Sequence, residues 1–213
     1  MKTYSEISMW EHANALFPIC RSITGKGLRE SLDYFEKFHP ELKRIKLKTG
    51  TKVFDWKIPK EWEINDSYLE HISTKKKYAE FKKSNLHVVS YSTPVDQVFD
   101  LDFLVNKIYT DKDHPNWIPY VTSYYKEDWG LCLSENEKKI LPKGEYRVKI
   151  DSKLKNGHLD LSHAILKGEL KKEIFFSSYL CHPSMANNEL SGPVLLSNIL
   201  DYVKKNYPNP KYT

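Results

Sequence analysis

The chain has 213 residues, 40% of them hydrophobic, with 33 basic and 28 acidic side chains and a formal net charge of +5. Its 14 Tyr, 9 Phe and 5 Trp exclude a disordered segment, and its lysines are spread among acids as on a solvated surface rather than gathered in a stripe for nucleic acid. No apolar run approaches the roughly 20 residues of a membrane span, and the opening Met1-Lys2-Thr3-Tyr4-Ser5-Glu6 lacks a signal-peptide core, so the expectation is a cytoplasmic protein without a membrane or nucleic-acid partner.

In chain order, Met9, Ala13, Leu16 and Phe17 share one face at helical spacing, and Pro18 ends that helix. A second helix is predicted after Ser22-Ile23-Thr24-Gly25, carrying Leu28, Leu32 and Phe35 at i, i+4 and i+7. Arg21, in the segment between them, is either an anion or substrate contact or a salt bridge joining the helices. From about Lys46 the pattern turns to short strands. Ile45, Leu47 and Val53 alternate with polar residues around a turn at Thr49-Gly50-Thr51. Further strand-like runs are Leu86–Tyr91, Trp117–Tyr125 and Glu145–Ile150. They describe a β-rich module over residues 51–156. Its many aromatics serve either its own core or a sugar or peptide ligand.

After Gly157 the predicted elements are a strand from His158 to Ile165, a turn at Gly168 and a strand from Ile174 to Cys181. A helix follows with Leu196, Ile199, Leu200 and Val203 on one face. Pro193 suits its first turn and Lys204-Lys205 its last. Two or three strands and one crossover helix make one edge of an α/β sheet and a poor core by themselves, so the chain reads as a fragment or a shortened gene product.

The chemistry concentrates in the loop Cys181-His182-Pro183-Ser184-Met185-Ala186-Asn187-Asn188-Glu189-Leu190-Ser191-Gly192. In open α/β sheets, reactive groups gather past the carboxyl ends of strands. A neutral imidazole is a good zinc ligand, and His182 can meet the amide and carboxylate groups six residues on. The helix start at Ser191-Gly192 offers N–H groups to an anion. The three cysteines, Cys20, Cys132 and Cys181, form neither a disulfide framework nor a CxxC site. Neighbours on a strand face opposite ways, so Cys181 is expected to pack rather than act as a nucleophile with His182. No HExxH, GxSxG or phosphate-loop pattern competes with this loop.

The order strand, His, polar loop, Asn-Asn-Glu-Leu-Ser-Gly, helix resembles the di-zinc aminopeptidases of the bacterial leucyl aminopeptidase type. The chain is still more similar to bacterial aminopeptidase-like proteins linked to polysaccharide biosynthesis, in which a small module interrupts the peptidase domain. This resemblance rests also on Leu16-Phe17-Pro18-Ile19-Cys20-Arg21-Ser22-Ile23-Thr24-Gly25 and on Val53-Phe54-Asp55-Trp56-Lys57-Ile58-Pro59-Lys60-Glu61-Trp62. It implies an α/β fold: a partial three-layer domain from residues 1–50 and 157–213, interrupted by the module at 51–156.

Carried over by position, the resemblance makes His182 the first ligand of a zinc, Asn188 the occupant of the bridging aspartate's place, and Glu189 the acidic neighbour. Ser184 stands where such peptidases carry a bracing Asp. An Asn offers one neutral oxygen where a carboxylate bridges two ions. The general-base glutamate and remaining ligands are expected downstream of Thr213, so no catalytic residue is assigned within the chain. The resemblance implies zinc-dependent hydrolysis of an amide bond in a peptide or amide-bearing small substrate, with this chain inactive by itself. The alternatives are an amidohydrolase of acylated sugars and a non-catalytic interaction or glycan-binding protein.

Overall fold

The computed structural model describes residues 3–213. In chain order its helices and strands are α1 (Met9–Leu16), α2 (Lys26–Glu36), β1 (Lys43–Lys48), β2 (Lys52–Val53), β3 (Trp56–Lys57), β4 (Glu61–His71), β5 (Lys77–Tyr78) and β6 (Val95–Asp100). There follow α3 (Leu101–Leu104), β7 (Ile108–Tyr109), β8 (Leu131–Cys132), α4 (Glu135–Lys139), β9 (Glu145–Lys155), β10 (His158–His163) and α5 (Ser191–Asn206). The fold thus mixes helices with small sheets. It forms two compact units, Met1–Ile58 with Gly157–Thr213, and Pro59–Asn156. Among the described residues no helix is long and apolar enough to cross a membrane.

In the first unit, Ser8 starts α1 with a capping box. Its hydroxyl accepts from the Glu11 N–H at 3.2 Å, and the Glu11 carboxylate accepts from the Ser8 N–H at 3.0 Å. The face that packs inward carries His12 and Leu16, whereas Met9 and Phe17, expected on that face, are 50% and 42% exposed. The hydrophobic pattern missed His12 because its polarity is fully used. Its Nδ1 meets the Tyr34 hydroxyl at 2.7 Å, its Nε2 meets the Tyr4 carbonyl at 2.9 Å, and its ring stacks on Tyr4 at 3.5 Å. In α2, Leu28 and Phe35 are buried as the spacing predicts, with Ser31 buried between them. Tyr4, Leu16, Phe35, Leu190 and Val194 form one core, which fastens α1 and α2 to α5.

Strands β1 and β10 pair antiparallel over their whole lengths. Asp160 on β10 is buried and receives both Arg29 of α2, at 3.6 Å, and His158, at 2.9 Å. Residues 51–58, read from the sequence as part of the β-rich module, lie in the first unit. There Ile58 donates its N–H to the Thr51 carbonyl at 3.0 Å, closing the β2–β3 hairpin.

The strand expected from Ile174 to Cys181 does not form. Only the last residues of the chain lie alongside its start. The Ile174 N–H donates to the Thr213 carbonyl at 2.9 Å, and the Thr213 N–H to that of Lys172 at 3.1 Å. A strand requires a neighbour along its length, and beyond Ile174 none stands among the described residues. Its side chains stay exposed accordingly: Ile174 53%, Phe175 87%, Phe176 55% and Tyr179 55%. Among the described residues the sheets of the first unit are the two-stranded pairs β1–β10 and β2–β3.

The second unit is built on an antiparallel sheet of order β5-β4-β9-β6. Along β9, Tyr146, Val148, Ile150 and Ser152 point inward. Arg147 and Lys149 point outward, and both bind Asp96 on β6 at 2.8 Å. The sequence pattern missed the length of β4, which buries Ser67 and His71 and shifts register between Ile64 and Asp66. The expected strands at 86–91 and 117–125 are absent. The first is a short 3₁₀ turn, Asn85–His87, followed by single bridges, Val88 to Leu131 and Ser90 to Thr122. The second pairs with Ser90 alone, through the bridge at Thr122. Tyr91 at φ +69° and Pro119, which has no N–H, prevent regular ladders there.

Candidate metal centre

The loop after Leu180 turns sharply at Pro183 and Ser184, the latter at φ +52°, and enters a single wide turn, Ala186–Leu190, of π-helical type that runs straight into α5. Such wide turns recur at functional sites. In this one Glu189 is wholly buried, while Asn187 and Asn188 are exposed. The wide turn also occupies a donor expected to be free at the start of α5. The Ser191 N–H donates to the Ala186 carbonyl, so the anion site read from Ser191-Gly192 loses that group.

Glu189 folds back on the segment before the turn. Its Oε2 accepts from the Cys181 N–H at 2.6 Å, and its Oε1 stands 3.5 Å from the Nε2 of His182 and 3.8 Å from the Sγ of Cys181. The Cys181 sulfur and the His182 Nε2 are 3.9 Å apart. Because the segment is not a strand, the two neighbours do not face opposite ways. Burial first, and the Glu189 carboxylate second, push the thiol's pKa up to about 12.

Beneath the loop lies Arg21, which is wholly buried. Its Nη1 donates to the Leu16 carbonyl at 2.6 Å and its Nε to the His182 carbonyl at 3.1 Å. It thus ties the end of α1 to the loop and cannot reach a substrate from solution. Burial lowers its pKa, and the negative charge of Glu189 works in the opposite direction. Close packing at Gly192 completes the setting, since a Cβ there would stand 2.3 Å from the Ser178 hydroxyl.

Of the residues predicted as ligands, the structure brings His182 and Glu189 together and leaves Asn188 outside. Cys181, read from the sequence as packing, joins them. Its adjacency to His182 was the available signal, and the strand reading concealed it. Among the described residues, Cys181, His182 and Glu189 are the one group of three potential ligands whose donor atoms converge within 4.8 Å. A carboxylate, an imidazole and a thiol that gives up its proton when a metal binds are a fitting set for one zinc ion on a partly open loop. Among the described residues no second set is gathered beside it.

Residues 10–213 match the family model described as "Domain of unknown function (DUF4910)". The chain belongs to that family. A curated relative from Clostridium acetobutylicum, named "Putative polysaccharide biosynthesis protein with aminopeptidase-like domain", is 46% identical over 190 residues, which is 89% of this chain and 43% of the relative. A crystal structure from the same organism, described as a "putative peptidase", superposes with a TM-score of 0.90 at 44% identity, over 98% of this chain and 48% of the other. The DUF4910 chain described here therefore spans about half the length of the relatives it matches.

Proposed function

We propose that this DUF4910 chain supplies the first metal-binding half of a zinc-dependent hydrolase of amide bonds, most simply one that removes an N-terminal residue from a peptide. The observation that carries the reading is the convergence of His182 and Glu189 on one point of the loop, in a family whose relatives are named as peptidase or aminopeptidase-like. Bound there, zinc supplies a Lewis acid that polarises a carbonyl and lowers the pKa of a water. The protein's own part is positional. Arg21 fixes the His182 backbone, the Cys181 N–H aims the Glu189 carboxylate, and the wide turn sets both before α5. A general base and further ligands come, in this reading, from the portion that the longer relatives add.

The test is an aminoacyl-anilide assay with added zinc, on the chain alone and on the chain joined to the second half of the Clostridium relative. Turnover by the joined protein only, lost in His182→Ala, is expected. Cleavage of N-acyl sugars and not of peptides would instead identify a sugar amidohydrolase, and absence of both zinc and turnover would overturn the enzymatic reading.

One observation supports a second reading, a glycan-binding role. In the second unit a cavity of about 190 Å³ is lined by Tyr91, Tyr124 and Tyr125 with Lys60, Lys126 and Glu127. Tyr125 is 87% exposed, and Tyr91 meets Tyr124 edge-on at 4.9 Å. The exposed Tyr125 ring beside Lys126 and Glu127 suits the apolar face and hydroxyls of a sugar. Calorimetric titration with oligosaccharides checks this reading, which requires binding that Tyr125→Ala removes.

A further inference from the structure

We infer that the Cys181 thiolate is a metal ligand, so that this loop by itself forms a mononuclear centre of Cys181 Sγ, His182 Nε2 and one Glu189 oxygen. The inference rests on the proposed metal-dependent function and adds a ligand to it. The argument is geometric. Sulfur, nitrogen and oxygen stand at the corners of a triangle with sides of 3.5, 3.8 and 3.9 Å. The centre of such a triangle lies about 2.2 Å from each corner, within the roughly 2.0–2.3 Å spanned by zinc–nitrogen, zinc–oxygen and zinc–sulfur bonds. Three donor atoms of different kinds are thus near enough to one another for a single ion to touch all of them.

The supporting contacts fit the same picture. Metal-binding carboxylates are held by hydrogen bonds to their other oxygen, and Glu189 Oε2 is held by the Cys181 N–H at 2.6 Å. One ligand residue thereby orients another. A thiolate, a carboxylate and a neutral imidazole together offset a divalent ion, and Arg21, buried next to them, faces the carboxylate when no ion is bound. His182 keeps 24% of its side chain exposed, which leaves a side open for a water or a substrate atom, as in three-ligand zinc sites. Asn188 has no part in this arrangement.

Cobalt(II) replaces zinc in such sites and reports sulfur ligation by a sulfur-to-metal charge-transfer band in the near ultraviolet. The full chain is titrated with cobalt(II) alone and then with zinc(II). The expected result is that band at one equivalent of cobalt, bleached by zinc. In Cys181→Ser the band should vanish and zinc affinity should fall by at least the roughly 10–100-fold that loss of a supporting partner already costs. Circular dichroism and the melting temperature of Cys181→Ser and Cys181→Ala, recorded without metal, separate ligand loss from misfolding. Cobalt binding without the band, unchanged in Cys181→Ser, would overturn the assignment of Cys181 and leave the metal-dependent reading standing on His182 and Glu189. Absence of binding by either ion would overturn both.

Discussion

The Nε of Arg21 donates to the main-chain carbonyl of His182 at 3.1 Å, across 161 positions of sequence. The same guanidinium binds the Leu16 carbonyl at 2.6 Å, so one side chain sets the candidate ligand's backbone relative to α1. Lysine cannot reproduce this fork, since it presents a compact point charge in place of a planar set of donors. Arg21→Lys should lower stability by about 1–3 kcal/mol, the cost of leaving a buried polar group unsatisfied. Urea denaturation measures the loss, and zinc affinity measured in parallel should fall with it.

Glu189 and Asn188 are adjacent yet face opposite environments, one wholly buried and one exposed. Glu189→Gln keeps the shape but removes the charge that faces Arg21 and His182. It should cost about 1–3 kcal/mol and abolish zinc binding. Asn188→Ala should change stability by no more than about 0.5 kcal/mol and leave zinc affinity as it was. Calorimetric zinc titration of the two variants separates the position that the resemblance pairs with the bridging aspartate from the position the wide turn delivers.

Two glycines hold the loop's surroundings close. A Cβ on Gly27 would lie 1.8 Å from the Cys20 carbonyl oxygen, which is main chain and cannot step aside. Gly27→Ala should therefore destabilise by about 1–3 kcal/mol or more, with no rescue from neighbouring side-chain changes. A Cβ on Gly192 would meet the Ser178 hydroxyl at 2.3 Å but the Ser178 Cβ only at 3.4 Å. Gly192→Ala should be harmful alone and largely rescued by Ser178→Ala, a coupling that a double-mutant cycle of melting temperatures reads directly.

The helices and the loop were legible from the chain itself because their causes are local, a period near 3.6 with breaks at Pro18 and Gly25. Even so, α5 buries Pro193, Val194 and Ser197 in place of the expected face of Leu196, Ile199, Leu200 and Val203. The convergence of His182 and Glu189 followed from a motif. What could not be read was decided by context. His12 lies inside because Tyr4 and Tyr34 happen to satisfy its ring, and a polar residue carries no periodic sign of that. Cys181 became a potential ligand only because the run before it stayed unpaired, and pairing depends on neighbours rather than on the run. The wide turn at Ala186–Leu190 has no composition of its own, so the choice between Asn188 and Glu189 was open until the backbone was seen.

That unpaired run has a consequence in solution. Ile174, Phe175, Phe176 and Tyr179 are more than half exposed on an extended segment whose backbone is paired only at its start. Exposed apolar side chains beside unpaired N–H and C=O groups are a template for association. The chain should self-associate as its concentration rises. Phe175→Ser with Phe176→Ser should return it toward the monomer in sedimentation velocity, without change in the zinc site. A chain that stays monomeric at high concentration would contradict this.

The last expectation concerns pH and the far end of α5. His39 is wholly buried, with Asp201 at 3.6 Å, Glu41 at 3.8 Å and the Tyr4 ring at 5.2 Å. Lys204 binds Glu41 at 2.6 Å and faces the same cluster, as does His12. Burial lowers the pKa of His39 more than the two carboxylates raise it, so the folded state holds the neutral ring below the ordinary value near 6.5. The sign follows. Above about pH 6.5 the ring is neutral in both states and contributes no pH dependence. Below it, the unfolded chain takes up a proton that the folded chain refuses, and stability falls by up to about 1.4 kcal/mol per pH unit until the folded value is reached. Glu41, whose pKa is lowered in the fold, adds its own loss only further down, below about pH 4.5. Urea midpoints measured between pH 5 and 8 should therefore decline on the acid side, and His39→Gln should flatten that decline while the Asp201 and Glu41 carboxylates remain in place.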